Sequence, residues 1–137
     1  LSRAGCGRLM LRAVLCLACL PAAAGAETAM TSAEFEAWST GKTLEYDVYG
    51  RHKGSEMHLA GRATVNAHVG KACRSGHWYP SGNLICFVYD TSPGPHCWRF
   101  LKVGDQVFAE FAGDDEPQRI SVTLSTARNP CDPGVGL

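Results

Sequence analysis

Three features of the sequence predict an all-β domain: a small antiparallel meander of about seven to eight strands, barrel-like, behind one short N-terminal helix. Short apolar and aromatic runs recur along the chain, divided by clusters of Gly, Pro, Asn, Asp and Ser. Several of these runs alternate with period two, as half-buried strands do. Four cysteines lie beyond the first 26 residues, an even number that suits a small domain stapled by disulfides in an oxidising compartment.

The first 26 residues stand apart. They carry Arg3, Arg8 and Arg12 and no acid, then an apolar run over 13–20, then Ala24-Gly25-Ala26. That is the order of a secretory signal peptide with its A-x-A cleavage site. The run is shorter than the roughly 20 residues a spanning helix needs. The chain therefore divides into a leader, residues 1–26, and a single secreted β domain, residues 27–137, with no transmembrane segment after leader cleavage. The expected location is periplasmic or secreted. Cys16 and Cys19 form a C-x-x-C pattern inside the leader and leave with it, and the mature cysteines are Cys73, Cys86, Cys97 and Cys131. Their spacings hold no paired zinc knuckle.

All thirteen acids but only ten of the thirteen Lys and Arg lie beyond residue 26, a net charge of −3. Nucleic acid, which needs a basic face, is excluded as a partner, and so is an electrostatic membrane anchor.

Along the mature chain, residues 27–30 read as a flexible lead-in. Thr31 and Glu34 make a capping box, and Met30 and Phe35 stand at the positions of a hydrophobic staple. Gly41 suits the residue that ends a helix. A helix over 32–39 follows, with Phe35 and Trp38 on one side. So few turns are marginal in water, so this helix should dock on the domain, bury both aromatics and close one end or flank of the core. From Lys42 the period changes to two. Residues 44–48 alternate cleanly, 50–55 read as a polar turn, and 56–60 form a weaker strand. Residues 62–69 form a third strand whose inward set is Ala63, Val65, Ala67 and Val69. Residues 76–79 form a short strand before the turn at 80–83. Residues 84–90 and 96–103 pair as a hairpin over a Pro/Gly loop. Gly104-Asp105 reverses the chain into 106–111, and residues 120–124 alternate without a break.

A hairpin turn centred near Thr91 and Ser92 sets Cys86 opposite Cys97, Ile85 opposite Trp98 and Phe87 opposite His96. Cross-strand neighbours at a narrow pair bring Cβ atoms within bridging distance. The expected disulfides are therefore Cys86–Cys97 and, with the remaining two cysteines, Cys73–Cys131.

No catalytic residues are marked out. There is no G-x-S-x-G elbow, and no H-x-x-x-H or H-E-x-x-H pairing relates His52, His58, His68, His77 and His96. These read as surface or turn histidines, and neither a metal nor a cofactor is expected. Trp78, Phe87, Tyr89, Trp98 and Phe100 read first as core. Should a binding surface exist, its candidates are Trp78, Tyr79, His96 and Trp98, placed near Tyr79-Pro80 and the 91–95 loop, at the end away from the helix.

Gly41-Lys42-Thr43, Gly76-His77-Trp78, Leu84-Ile85-Cys86, Cys97, Gly104-Asp105 and Asn129-Pro130-Cys131 occur in that order. In this the chain resembles a family of small secreted proteins of Gram-negative bacteria, classed as a domain of unknown function. The resemblance covers about residues 31–131 and implies export and a β fold. It brings no catalytic role, and Cys73 departs from the family pattern. A weaker resemblance, at the level of fold alone, is to periplasmic lysozyme inhibitors, small disulfide-stapled β-barrels. The expectation is a non-enzymatic, exported binding or envelope-associated module whose partner is an envelope protein or a small ligand. The alternatives are a lysozyme-inhibitor-like protein binder, and behind it a periplasmic hydrolase or metal-binding protein.

Overall fold

The computed structural model describes residues 25–132. The expected leader lies outside the described residues except for Gly25 and Ala26. The lead-in is not free: Glu27–Ala29 forms strand β1, antiparallel to the end of a later strand at residues 101–103. Helix α1 follows as Ser32–Ser39, with both halves of the capping box formed. The Glu34 amide donates to the Thr31 hydroxyl at 3.1 Å, and the Thr31 amide donates to the Glu34 carboxylate at 2.8 Å.

Eight strands then run as an up-and-down meander. They are β2 (Thr43–Val48), β3 (Arg51–His58), β4 (Ala63–His68), β5 (Arg74–Ser81), β6 (Leu84–Tyr89), β7 (His96–Val103), β8 (Gln106–Phe111) and β9 (Ile120–Ser125). Each pairs antiparallel with the next, and β9 pairs back onto β2, so the sheet closes into a barrel. Closure removes the exposed edges an open sheet would present. Strand β6 pairs with β7 at residues 96–98, and β1 takes the place beside β7 at residues 101–103.

The hairpin register is the expected one, with Ile85 opposite Trp98, Cys86 opposite Cys97 and Phe87 opposite His96. Both disulfides, Cys86–Cys97 and Cys73–Cys131, are present.

Helix α1 plugs one end. Phe35 is fully buried, its ring 5.2 Å from Trp78, 4.4 Å from Phe100 and 5.5 Å from His58. Trp38 is only partly buried and packs at the margin of this cluster. Lys102 and Arg62 tie the helix carboxylates Glu34 and Glu36 to the barrel at 2.8 and 3.0 Å.

Two expectations are corrected here. The polar turn over 50–55 shrinks to Tyr49 and Gly50, both with positive φ, the geometry of a two-residue type I′ hairpin turn. Residues 51–55 belong to β3. They carry a β-bulge: Tyr46 pairs with Gly54 but Asp47 with His52, which leaves Lys53 as the extra residue. Gly54 has φ 154°, and a Cβ there would meet the Ala67 carbonyl oxygen at 2.6 Å, so the bulge needs glycine.

The second correction concerns parity. On β4 the inward set is Thr64, Asn66 and His68, not Ala63, Val65, Ala67 and Val69. Thr64 and Asn66 are buried, and Asn66 bonds inside the barrel to Glu56, its cross-strand neighbour on β3. The interior of this sector is polar, so the rule that places apolar residues inside selects the wrong face. The outer face of β3 is covered in turn by the tail. Ser55 and Met57 are buried there. The Asn129 side chain donates to the Val65 carbonyl at 2.8 Å, and the Thr43 hydroxyl donates to the Ala127 carbonyl at 2.6 Å.

Candidate functional site

Because the strands alternate direction, the helix end collects the starts of β2, β4, β6 and β8, and the far end collects their finishes. At that far end lies a cavity of about 190 Å³. Its apolar wall and floor are Phe87, Trp98, Phe100, Ala109 and Ile120, and its polar side is Tyr46, Lys53, Glu56, Asn66, His68, Arg74, Tyr89 and His96.

Glu56 centres the polar side. It is 1% exposed, and its Oε2 accepts from the Tyr89 hydroxyl at 2.6 Å and from the Asn66 amide at 3.2 Å. The other oxygen, Oε1, lies 3.1 Å from His58 Nε2, at ion-pair distance but without hydrogen-bond alignment. A buried carboxylate is tolerated only when paired and hydrogen-bonded, and those partners come from β4 (Asn66), β6 (Tyr89) and β3 itself (His58). Register explains their convergence: Glu56 pairs with Asn66, Asn66 with Arg74, and Gly76 with Tyr89. A Cβ at Gly76 would meet the Val88 carbonyl oxygen at 2.2 Å and the Tyr89 ring at 2.8 Å, so the glycine admits the tyrosine over its backbone.

Burial first, and then the Glu56 carboxylate, hold the phenols of Tyr46 and Tyr89 well above their ordinary range. Both remain protonated, and Tyr89 donates to Glu56. Tyr89→Phe removes a hydrogen bond to Glu56 while keeping the ring. It is expected to cost about 2 kcal/mol, in the range for bonds to charged groups, read as a lowered urea midpoint with unchanged slope.

The network continues to the mouth. The Asn66 carbonyl accepts from Arg74 Nη2 at 3.1 Å, and the Arg74 guanidinium lies over the Tyr89 ring at 4.1 Å from its centroid. His68, beside it, is held below the ordinary imidazole range by desolvation first, then by Arg74, Lys71 and Lys53. Cationic side chains thus gather on the β3–β4–β5 side of the opening.

The four candidate binding residues fall in three places. His96 and Trp98 line the cavity. The His96 Nε2 lies 3.0 Å from the Ser92 hydroxyl and 3.1 Å from the Ser92 carbonyl, which ties the 91–95 loop to the barrel mouth. Trp78 is buried beneath α1, with the Arg62 guanidinium 4.7 Å over its ring. Tyr79 pairs with Cys86 near the β5–β6 turn, at the helix end and not beside the 91–95 loop. The two regions expected to share one end are separated by the length of β6.

Glu56, Asn66, Arg74, Lys53 and His68 were not legible as site residues. The one signal was that Thr64, Asn66 and His68, and likewise Glu56 and His58, repeat with the same period two as their apolar neighbours. His58, read as a surface or turn residue, is 1% exposed. Among the described residues no group of three or more His, Cys, Asp or Glu is placed to hold a metal ion, and no helix is long and apolar enough to cross a membrane. No family model, curated protein or solved structure matches the chain.

Proposed function

We propose that this protein is an exported, non-enzymatic module that binds a small ligand in the open end of its barrel. One observation carries the reading. A closed barrel is plugged at one end by α1 and keeps at the other a cavity of about 190 Å³, with an aromatic wall and a few convergent polar groups. Small-molecule sites have that composition. The two disulfides support an oxidising compartment. Glu56 is already in structural use, since its Oε2 accepts two internal hydrogen bonds, which favours a binding role over a catalytic one for this carboxylate.

The test is a thermal-shift screen of single-ring and short-chain compounds, followed by titration of intrinsic tryptophan fluorescence, to which Trp98 contributes. A ligand of the cup at 100 times its Kd should stabilise the protein by about 2.7 kcal/mol. Ala109→Leu, which fills the floor, should abolish the shift. If no compound raises the melting temperature, or if Ala109→Leu leaves every shift intact, the reading fails.

A protein partner is favoured by one separate observation. Tyr49 is 92% exposed at the tip of the β2–β3 turn, in a left-handed backbone that tyrosine adopts at a cost. An envelope protein captured by the native chain and lost with Tyr49→Ala would move the site from the cup to its rim.

A further inference from the structure

We propose that the ligand of this cup is a single-ring aromatic carboxylate, its carboxylate held by Arg74 with Lys53 and His68, its ring against Phe87, Trp98 and Phe100. This rests on the cup being a ligand site and names the class of ligand.

The first argument is Arg74. Its guanidinium is fixed on two sides, by the Tyr89 ring at 4.1 Å and the Asn66 carbonyl at 3.1 Å. Asn66 and Tyr89 are both anchored in turn on Glu56. Only Nη2 is engaged, and Nε is buried with no hydrogen-bond partner among the described residues. A guanidinium has five donors in a planar fork that matches a carboxylate. Here the fork is immobilised, lines the cavity and has donors to spare, although burial of an unsatisfied donor is costly. The entropy of ordering it is met before any ligand arrives.

The second argument is independent and lies in the backbone. Without the bulge, regular alternation would turn Lys53 away from the interior when Gly54 faces in. The bulge inserts Lys53 as an unpaired residue, and Lys53 lines the cavity. Bulges re-aim side chains at barrel rims. Here the strand departs from regular pairing, at a position only glycine can follow, and a cation is brought to the mouth.

His68 supplies the third group. Its surroundings of Lys53 on β3, Lys71 in the β4–β5 connection and Arg74 on β5 disfavour its protonation. A bound carboxylate would offset that repulsion, so affinity should rise as the pH falls through the imidazole range. Of the acids at this end, Glu56 lines the cavity with its Oε2 taken up by Tyr89 and Asn66, and Asp47 lies 3.9 Å from His52. Asp90, Asp114, Asp115 and Glu116 are exposed in other connections, and none of these acids pairs with Arg74 among the described residues.

Volume sets the body of the ligand. An apolar cavity of about 150 Å³ accepts benzene, so about 190 Å³ accommodates one ring with a carboxylate and little more.

The experiment titrates the exported protein with benzoate, phenylacetate and the neutral benzyl alcohol, following intrinsic tryptophan fluorescence, to which Trp98 contributes, and calorimetric heat. An aryl carboxylate should bind at least about tenfold tighter than benzyl alcohol, the factor that one charge-assisted hydrogen bond supplies. Arg74→Gln should remove that advantage while weakening benzyl alcohol far less, and an unchanged near-ultraviolet dichroism spectrum certifies the folded cup. Arg74→Lys should restore only part of it. Lys53→Gln, a change at an exposed side chain that should leave the fold intact, should weaken the carboxylate alone. Carboxylates that bind no tighter than benzyl alcohol, or that are indifferent to both Arg74→Gln and Lys53→Gln, overturn the inference and leave the cup as a neutral-ligand site. Failure of all three probes removes the inference and the binding reading together.

Discussion

Phe35→Ala should lower the unfolding free energy by about 3–5 kcal/mol, the cost of truncating a fully buried phenylalanine. The side chain has no exposed surface and sits among Trp38, His58, Trp78, Phe87 and Phe100, with ring centroids 4.4 to 6.5 Å away. It comes from a helix of eight residues, too short to persist unless packed. Truncation therefore opens a cavity under the plug and weakens the plug's hold. Trp38→Ala should cost less, because Trp38 is only partly buried. Urea unfolding followed by far-ultraviolet dichroism decides it. Equal losses for the two variants would mean that Phe35 is not the anchor. The total stability of a domain this size is about 5–15 kcal/mol, so the loss is a large fraction of it.

Replacing Cys73 and Cys131 together by serine should cost about 4 kcal/mol. Replacing Cys86 and Cys97 should cost about 3, from the loop entropy each bond removes from the unfolded chain. The sequence separations are 58 and 11 residues. The longer loop also fastens the tail whose Asn129 side chain and Ala127 carbonyl bond to β4 and β2. Loss of the Cys73–Cys131 bond should additionally speed hydrogen exchange in β3 and β4, while loss of Cys86–Cys97 should not. Denaturant midpoints of the two double variants give the order. A smaller loss for the Cys73/Cys131 pair would show that the tail does not bear on the barrel.

Fold class, helix and disulfides were legible because each rests on local chemistry. Thr31 and Glu34 cap a helix wherever they stand at that spacing. A turn near Thr91 and Ser92 sets Cys86 opposite Cys97 through register alone, and two cysteines then remain for each other. Strand β1 was not legible, because Glu27, Thr28 and Ala29 carry no alternation. They become a strand only because β7 extends past its pairing with β6 and offers free backbone groups to pair.

The candidate site was hidden by the same rule that revealed the strands. Period two states that residues alternate between faces, and which face is inside is then assigned from the apolar set. That holds where Phe87, Phe100 and Ile85 line the wall. It inverts on β4, where Val65 lies beneath the tail and Asn66 points at Glu56. A carboxylate can occupy a barrel interior only if donors from other strands meet it, and the two that do, Asn66 and Tyr89, lie 10 and 33 positions from Glu56 in the chain. Their meeting depends on the register carried across β3, β4, β5 and β6 in the curved sheet and on the space left by Gly76. Local patterning selects the elements; the interior side of each strand follows from the free energy of burying polar groups, which is defined only once all their partners are in place.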